Sequence, residues 1–236
     1  MSTWLLGNTT VRSPFRLIDG LKVFASTNGD IRGTKEKELV FCKALVDGGI
    51  ISSNFEAEHI SGFSDTTYSV GRKWRSALEK LGFIEQNNLI YILTENGKNL
   101  LNSQTLQSDQ ECYLRSLILY SYEAENSDGF FSPLMLTLHI MKELEIRTGS
   151  SRISFQEMAA VIQLTFSYSD ISQSVDEIFT IRSNRQASLS KKKFDRELYE
   201  SKSSKAKVKA PSIKDYADTN LRYLKSTGLF TASGKG

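Results

Sequence analysis

Tyr68, Ser69, Arg72, Lys73 and Arg75 stand close together in the stretch TTYSVGRKWRSALEK. Side chains of these types offer hydroxyls and a guanidinium fork to base edges, and ammonium charge to phosphates. Tyr68, Ser69 and Arg72 lie near the start of the stretch and could reach bases, whereas Lys73 and Arg75 are better placed for a phosphate backbone. The elements that must hold them can be read from the same residues. Val70, Trp74, Ala77, Leu78 and Leu81 fall at i, i+4, i+7, i+8 and i+11, one face of a helix over 66–81. Gly82 stands where a left-handed cap ends such a helix. Phe83-Ile84 and Leu89 to Leu93 then read as two strands around the polar turn Gln86-Asn87-Asn88. A basic helix followed by a β-ribbon is how a winged helix meets DNA, with the helix in the major groove and the ribbon against the backbone. Winged helices also act as protein-interaction modules, and that alternative stays open at this point.

Other kinds of chemistry find less support. A metal-dependent nuclease centre needs an aspartate followed by a Glu-x-Lys-like pair on adjacent strands, to hold Mg²⁺ and position water. Glu143 and Glu145 sit in a helical pattern instead, and Glu36-Lys37-Glu38 reads as a solvated helix start. His59 and His139 have no nearby partners arranged as a triad, and His139, in an apolar helix, is expected to pack in the core. Cys42 and Cys112 are too few and too far apart for a disulfide framework or a zinc site, and read as small core residues. Asp47-Gly48-Gly49 is a helix end and not a phosphate loop. No catalytic or metal-binding residues are therefore assigned within 1–236.

At 236 residues the chain can hold one large domain or two small ones. Its net charge of +3 is modest, so an electrostatic case for nucleic acid rests on where the charge lies. The richest run is Lys191, Lys192, Lys193, Arg196, Lys202, Lys205, Lys207 and Lys209 against Asp195, Glu197 and Glu200. Such a run would add salt-sensitive affinity that ignores base sequence. No secretory signal or membrane-spanning run is present, so a cytoplasmic protein is expected.

The fold expected is mostly α with small β-ribbons, built from tandem winged-helix (helix-turn-helix) subdomains. Residues 1–33 read as a basic, mostly irregular N-terminal arm carrying Arg12, Ser13, Arg16, Lys22 and Arg32, with Ser13-Pro14 opening a short helix to Leu21. Residues 34–103 form the first winged-helix subdomain, with helices at 34–46, 56–61 and 66–81. Residues 104–236 form a second one, interrupted by a long helical, Lys-rich insertion at about 170–210 whose Ser201 to Lys209 end reads as a flexible tether. Ser132-Pro133 opens a central helix, and Ser154-Phe155-Gln156-Glu157 is a capping box.

The closing segment SIKDYADTNLRYLKSTGLFTASGKG weakly repeats the earlier one. Ile213, Ala217, Leu221 and Leu224 would face inward, and Asp215, Thr219, Arg222, Tyr223 and Ser226 outward. Gly228-Leu229-Phe230 repeats the stop at Gly82-Phe83-Ile84, which suggests a second recognition helix, a cap and a first wing strand. The returning strand is missing, as in a chain cut short or lacking a following domain.

Several of these residues, taken as a set, resemble a known family. Arg12-Ser13-Pro14, Ser132-Pro133-Leu134, Val175-Asp176-Glu177-Ile178 with Arg182 and Arg185, and Asp215 through Phe230 are similar to the N-terminal recognition half of AlwI-type type IIS restriction endonucleases and the related nicking endonucleases. The similarity runs from about residue 11 to the end. It implies a module that finds a short asymmetric duplex sequence, acting as a monomer. A nuclease domain or subunit, in cis or in trans and dependent on Mg²⁺, would cut outside the site. It also implies DNA contact by Asp215, Thr219 and Arg222, and by Arg12 and Ser13 in the arm. Asp215 would accept from a cytosine amino group and Arg222 would fork onto guanine. Lys191, Lys192, Lys193 and Lys209 would sit on phosphates. A winged-helix transcription regulator, which would dimerise on a palindrome, is the rival DNA-binding reading.

Overall fold

A computed structural model describes residues 3–27, 35–51, 66–88, 90–123 and 129–232; the side chains of 35–39 and 66–69 lie outside the described residues. So do the helix expected at 56–61, Arg32 in the arm, and the final turn at 233–236. Among the described residues the chain is mostly helical, with two small antiparallel ribbons. It divides into two compact units. One is Gly7–Ser116 with Arg222–Gly236, and the other is Met1–Leu6 with Leu117–Leu221.

The first unit contains α1 (Arg16–Ser26), α2 (Lys35–Asp47), α3 (Thr66–Lys80), β1 (Ile84–Asn87), β2 (Ile90–Leu93), α4 (Glu95–Asn102) and most of α5 (Leu106–Leu119). Helix α1 buries Leu17, Gly20, Leu21 and Phe24, an i, i+3, i+4, i+7 stripe. It starts later and runs further than Ser13-Pro14 suggests. Pro14 and Phe15 form a turn, with Leu17 N–H donating to the Pro14 carbonyl at 2.8 Å. Gly20 is required by packing, because a Cβ there would lie 2.7 Å from the ring of Trp74. Trp74, Ala77, Leu78 and Leu81 are buried as their spacing predicts, and so is Cys42. Phe24 and Phe41 join α1 to α2 edge to face, their centroids 6.1 Å apart.

Helix α3 ends where Gly82 adopts φ 66°. Gly82 N–H donates to the Glu79 carbonyl at 2.8 Å and Phe83 N–H to the Leu78 carbonyl at 3.0 Å, which satisfies two orphan carbonyls of the last turn. Strand β1 runs through Asn87, further than expected, since Gln86 pairs with Tyr91 and Asn87 with Ile90. The turn is thereby tightened onto Asn88, at φ 56°, a residue type that tolerates the left-handed region. Thr94 then fixes the ribbon to α4. Its hydroxyl donates to the Gly82 carbonyl at 2.5 Å and accepts from Gly97 N–H at 3.0 Å. Tyr113 of α5 closes this core, edge to face with Phe83 at 5.4 Å and donating its hydroxyl to the Pro14 carbonyl.

The second unit holds the ribbon β3 (Tyr122–Glu123) with β4 (Phe130–Phe131), then α6 (Pro133–Thr148), α7 (Phe155–Ala160), α8 (Ile171–Ala187) and α9 (Lys191–Lys205). The final helix α10 (Ala210–Lys225) belongs to it as far as Leu221. Ser132 caps α6 with Pro133 in the first turn, and the capping box of Ser154 and Glu157 is present. Leu134, Leu136, Ile140, Leu144, Met158, Ile162, Val175, Ile178, Ile213 and Ala217 are buried. The opening residues belong to this core and are not a loose arm. Trp4 is wholly buried, its Nε1–H donating to the carbonyls of Ile162 at 3.0 Å and Thr165 at 3.1 Å. Asn220 accepts from Leu6 N–H at 2.8 Å and donates to the Trp4 carbonyl at 3.2 Å.

Two further expectations are corrected here. Ser201 to Lys205 remain helical, with Ser203 and Ala206 buried, so this stretch is a packed helix end and not a tether. After Gly228 at φ 76°, no strand forms among the described residues 229–232. A single strand without a partner lacks the ladder that would hold it.

Candidate nucleic-acid interface

Helix α3 presents Arg72 and Lys73 to solvent, while Trp74 and Leu78 anchor its opposite face. Tyr68 and Ser69 have side chains outside the described residues. Arg75 is not turned outward as expected. Its guanidinium lies 4.8 Å from the ring of Tyr91 on β2, and its Nε and Nη1 are buried. The residue joins the helix to the ribbon and does not reach toward a backbone.

The basic positions at the N-terminal end are exposed, and each has a partner within the protein. Arg16 donates through Nη2 to the Ile50 carbonyl and sits 5.7 Å from the Trp74 ring. Lys22 pairs loosely with Asp19 at 3.7 Å, and both are well exposed. Arg12 is exposed, with Nε 3.4 Å from the Thr9 carbonyl, and Ser13 is half-buried, its carbonyl accepting from Arg16 N–H at 3.1 Å.

In α10 the solvent stripe is rotated from the predicted one. Arg222 is exposed, together with Lys214 and Lys225, whereas Asp215 is half-buried. Thr219 is wholly buried, and its hydroxyl donates to the Asp215 carbonyl at 2.8 Å. Tyr223 and Ser226 are buried too, Tyr223 donating to the Val11 carbonyl at 2.9 Å. Thr219 therefore has no surface to offer a ligand, whereas Arg222 is exposed.

Arg182 and Arg185 are both committed within the second unit. Arg182 forks onto Glu157, Nε to Oε1 at 2.8 Å and Nη2 to Oε2 at 3.0 Å, and also donates to the Arg152 carbonyl at 2.7 Å. Arg185 forks onto Asp195 at 2.7 and 3.0 Å. The hydrogen bonds to these carboxylates hold both guanidiniums above their ordinary pKa. Beyond them lies a groove of about 850 Å³ lined by Lys191, Lys192, Lys193, Arg196 and Lys214, with Tyr199 in its wall. Lys193 leans 3.8 Å from Glu197, and Lys209 is exposed just before α10. Lys214 and Tyr199 are the lining residues that sequence reasoning passed over. The i, i+4 and i, i+7 spacing of Lys192, Arg196 and Tyr199 is the signal that links them on one helix face.

His139 is exposed, against expectation, and meets Tyr168 edge to face at 5.6 Å. Among the described residues no three His, Cys, Asp or Glu side chains gather as a metal site. No helix among them is long and apolar enough to cross a membrane.

The sequence model of the AlwI restriction endonuclease family fits residues 79–236. It begins at the end of α3 and takes in the whole of the second unit's helical core. No curated protein matches the chain.

Proposed function

The chain belongs to the AlwI restriction endonuclease family, and from that footing we propose that it recognises a short asymmetric sequence in duplex DNA, as the specificity part of a type IIS or nicking enzyme. DNA as partner follows from the family itself. The finer reading is supported by one arrangement above all. Arg72 and Lys73 are exposed on a helix that ends at a left-handed glycine and leads directly into an antiparallel ribbon. That is the order of parts in a winged helix, whose helix reads base edges while the ribbon touches backbone. Arg222, exposed on a second glycine-stopped helix, supplies the second reader. An arginine bidentate to guanine contributes about 1–3 kcal/mol of discrimination against the wrong base.

In this reading the chain acts as a monomer in the cytoplasm. Cleavage belongs to a separate nuclease domain or subunit, which carries the Mg²⁺ chemistry. The test is a selection of bound duplexes from a random pool, followed by titration of the enriched sequence. One asymmetric motif bound one to one is the expected result. A palindrome bound by two copies would replace the proposal with a dimeric regulator. No retention of duplex at low salt would replace it with a protein-interaction module.

A further inference from the structure

We infer that the groove between α9 and the first turn of α10 seats a phosphodiester backbone without reading its bases, through Lys191, Lys192 and Arg196 with support from Lys214. This deepens the DNA-recognition reading and rests on it. Six cationic side chains line the groove against two carboxylates, Asp195 and Glu200. That local excess is larger than the net +3 of the entire chain, so positive charge is concentrated here at the expense of the remaining surface.

The six cations are not equivalent. Arg185 is spent on Asp195, which also accepts from Gln156 Nε2 at 3.3 Å. Lys193 leans on Glu197. Lys191, Lys192 and Arg196 are exposed and form no ion pair among the described residues. The two lysines are also placed where a helix does not want them. The first turn of α9 carries three successive lysines and no acidic residue, against the positive end of the helix dipole. Ser190 caps only the Lys193 N–H, at 3.3 Å. A helix N-terminus crowded with cations is self-repelling until an anion arrives, and phosphate is the anion that suits both the amide ends and the side chains.

The wall of the groove explains why bases would not be read. Tyr199 is the aromatic residue in the lining; the residue is only 9 % exposed and its ring is overlaid by Lys214, with Nζ 5.9 Å from the centroid. No free ring face remains for a base to stack on, as a single-strand platform requires. What is left is charge, which recognises the repeating phosphates of a duplex.

The experiment uses the full chain and the triple variant Lys191→Gln, Lys192→Gln, Arg196→Gln. Binding of a fluorescent duplex carrying the selected sequence, and of a scrambled one, is followed by anisotropy between 50 and 200 mM salt, a range of the order used to expose counterion release. The slope of log K against log salt should fall by about 2–3 on both duplexes, with their affinity ratio kept within about twofold. The variant should also melt no lower than the parent, because it relieves repulsion at a helix start. An unchanged slope, or a loss confined to the selected duplex, would overturn the inference while leaving recognition by Arg72 and Arg222 standing. A parent chain that binds no duplex at all would instead remove the reading beneath it. Competition with ATP and with pyrophosphate separates the sources of phosphate: displacement of the duplex at micromolar concentration would assign the groove to a free nucleotide and overturn the inference.

Discussion

The guanidinium of Arg75 and the ring of Tyr91 lie 4.8 Å apart, so α3 and the ribbon that follows it are held by a contact that uses up a basic residue. Cation–π pairs of this kind contribute about 0.5–2 kcal/mol. Arg75→Ala should therefore lower unfolding stability by about that amount and leave the salt dependence of DNA binding unchanged. Lys73→Gln should do the reverse, lowering the salt slope by about one with little effect on stability. Denaturant titrations and anisotropy on both variants check this. Equal loss of salt slope in the two would return Arg75 to the backbone role.

Arg222 and Thr219 make a second contrast within α10. Arg222→Ala should relax sequence preference by about 1–3 kcal/mol at one base position. Thr219→Val removes only a hydroxyl bonded to its own helix, so it should change stability by no more than about 1 kcal/mol and leave preference intact. Competition binding against single-base variants of the selected site reads both. A specificity change in Thr219→Val would show that the buried hydroxyl is reached after all.

Glu157 accepts both arms of the Arg182 fork while also capping α7 through Ser154 N–H at 2.9 Å. Its side chain is 6 % exposed and that of Arg182 is 34 % exposed, which makes this a partly buried pair. Removing one partner leaves the other desolvated. Arg182→Ala should cost about 2–3 kcal/mol, toward the low end for a buried pair because solvent screens the arginine. Salt dependence of DNA binding should not move. Thermal melting and anisotropy together decide, and a lowered salt slope with unchanged melting would make Arg182 a DNA contact.

Alkaline pH should weaken the second unit before arginine chemistry matters. Burial pushes Tyr199 and Tyr120 each up to about 12. In the unfolded chain they ionise near 10. Both states are neutral below pH 10, so stability is complete there. Between pH 10 and 12 only the unfolded state gains charge, and stability falls by about 1 kcal/mol per tyrosine at pH 11. Denaturant midpoints at pH 9, 10 and 11, with tyrosinate absorbance as the second probe, should decline together. Flat midpoints over that range would mean that the rings are solvated.

Much of this was legible in the chain, for physical reasons that vary by element. The buried face of α3 could be read because Trp74, Ala77 and Leu78 are apolar and regularly spaced, and Gly82 marks a backbone turn that other residues resist. In α10 the same method turned the helix too far. Thr219, Asn220 and Tyr223 are polar by type yet buried, because their polar atoms bond to Asp215, Trp4 and Val11. Periodicity counts apolar residues and cannot see a satisfied polar one. The committed arginines were hidden for another reason. Arg182 finds Glu157 and Arg185 finds Asp195 across folds of the chain, a pairing that no local pattern encodes. His139 was misplaced because a helix rich in leucine still has one wet side.

Asn220 bridges Leu6 and Trp4, so the earliest residues of the second unit are secured by one of its last. A ribosome that has released residues 117–200 has not yet supplied the side chain that fastens Trp4. Assembly of this unit must wait until residue 220 has been made, and contacts of such long separation close slowly. Removing residues 1–6 would accordingly act more than 200 positions away, loosening α10, the helix that bears Arg222.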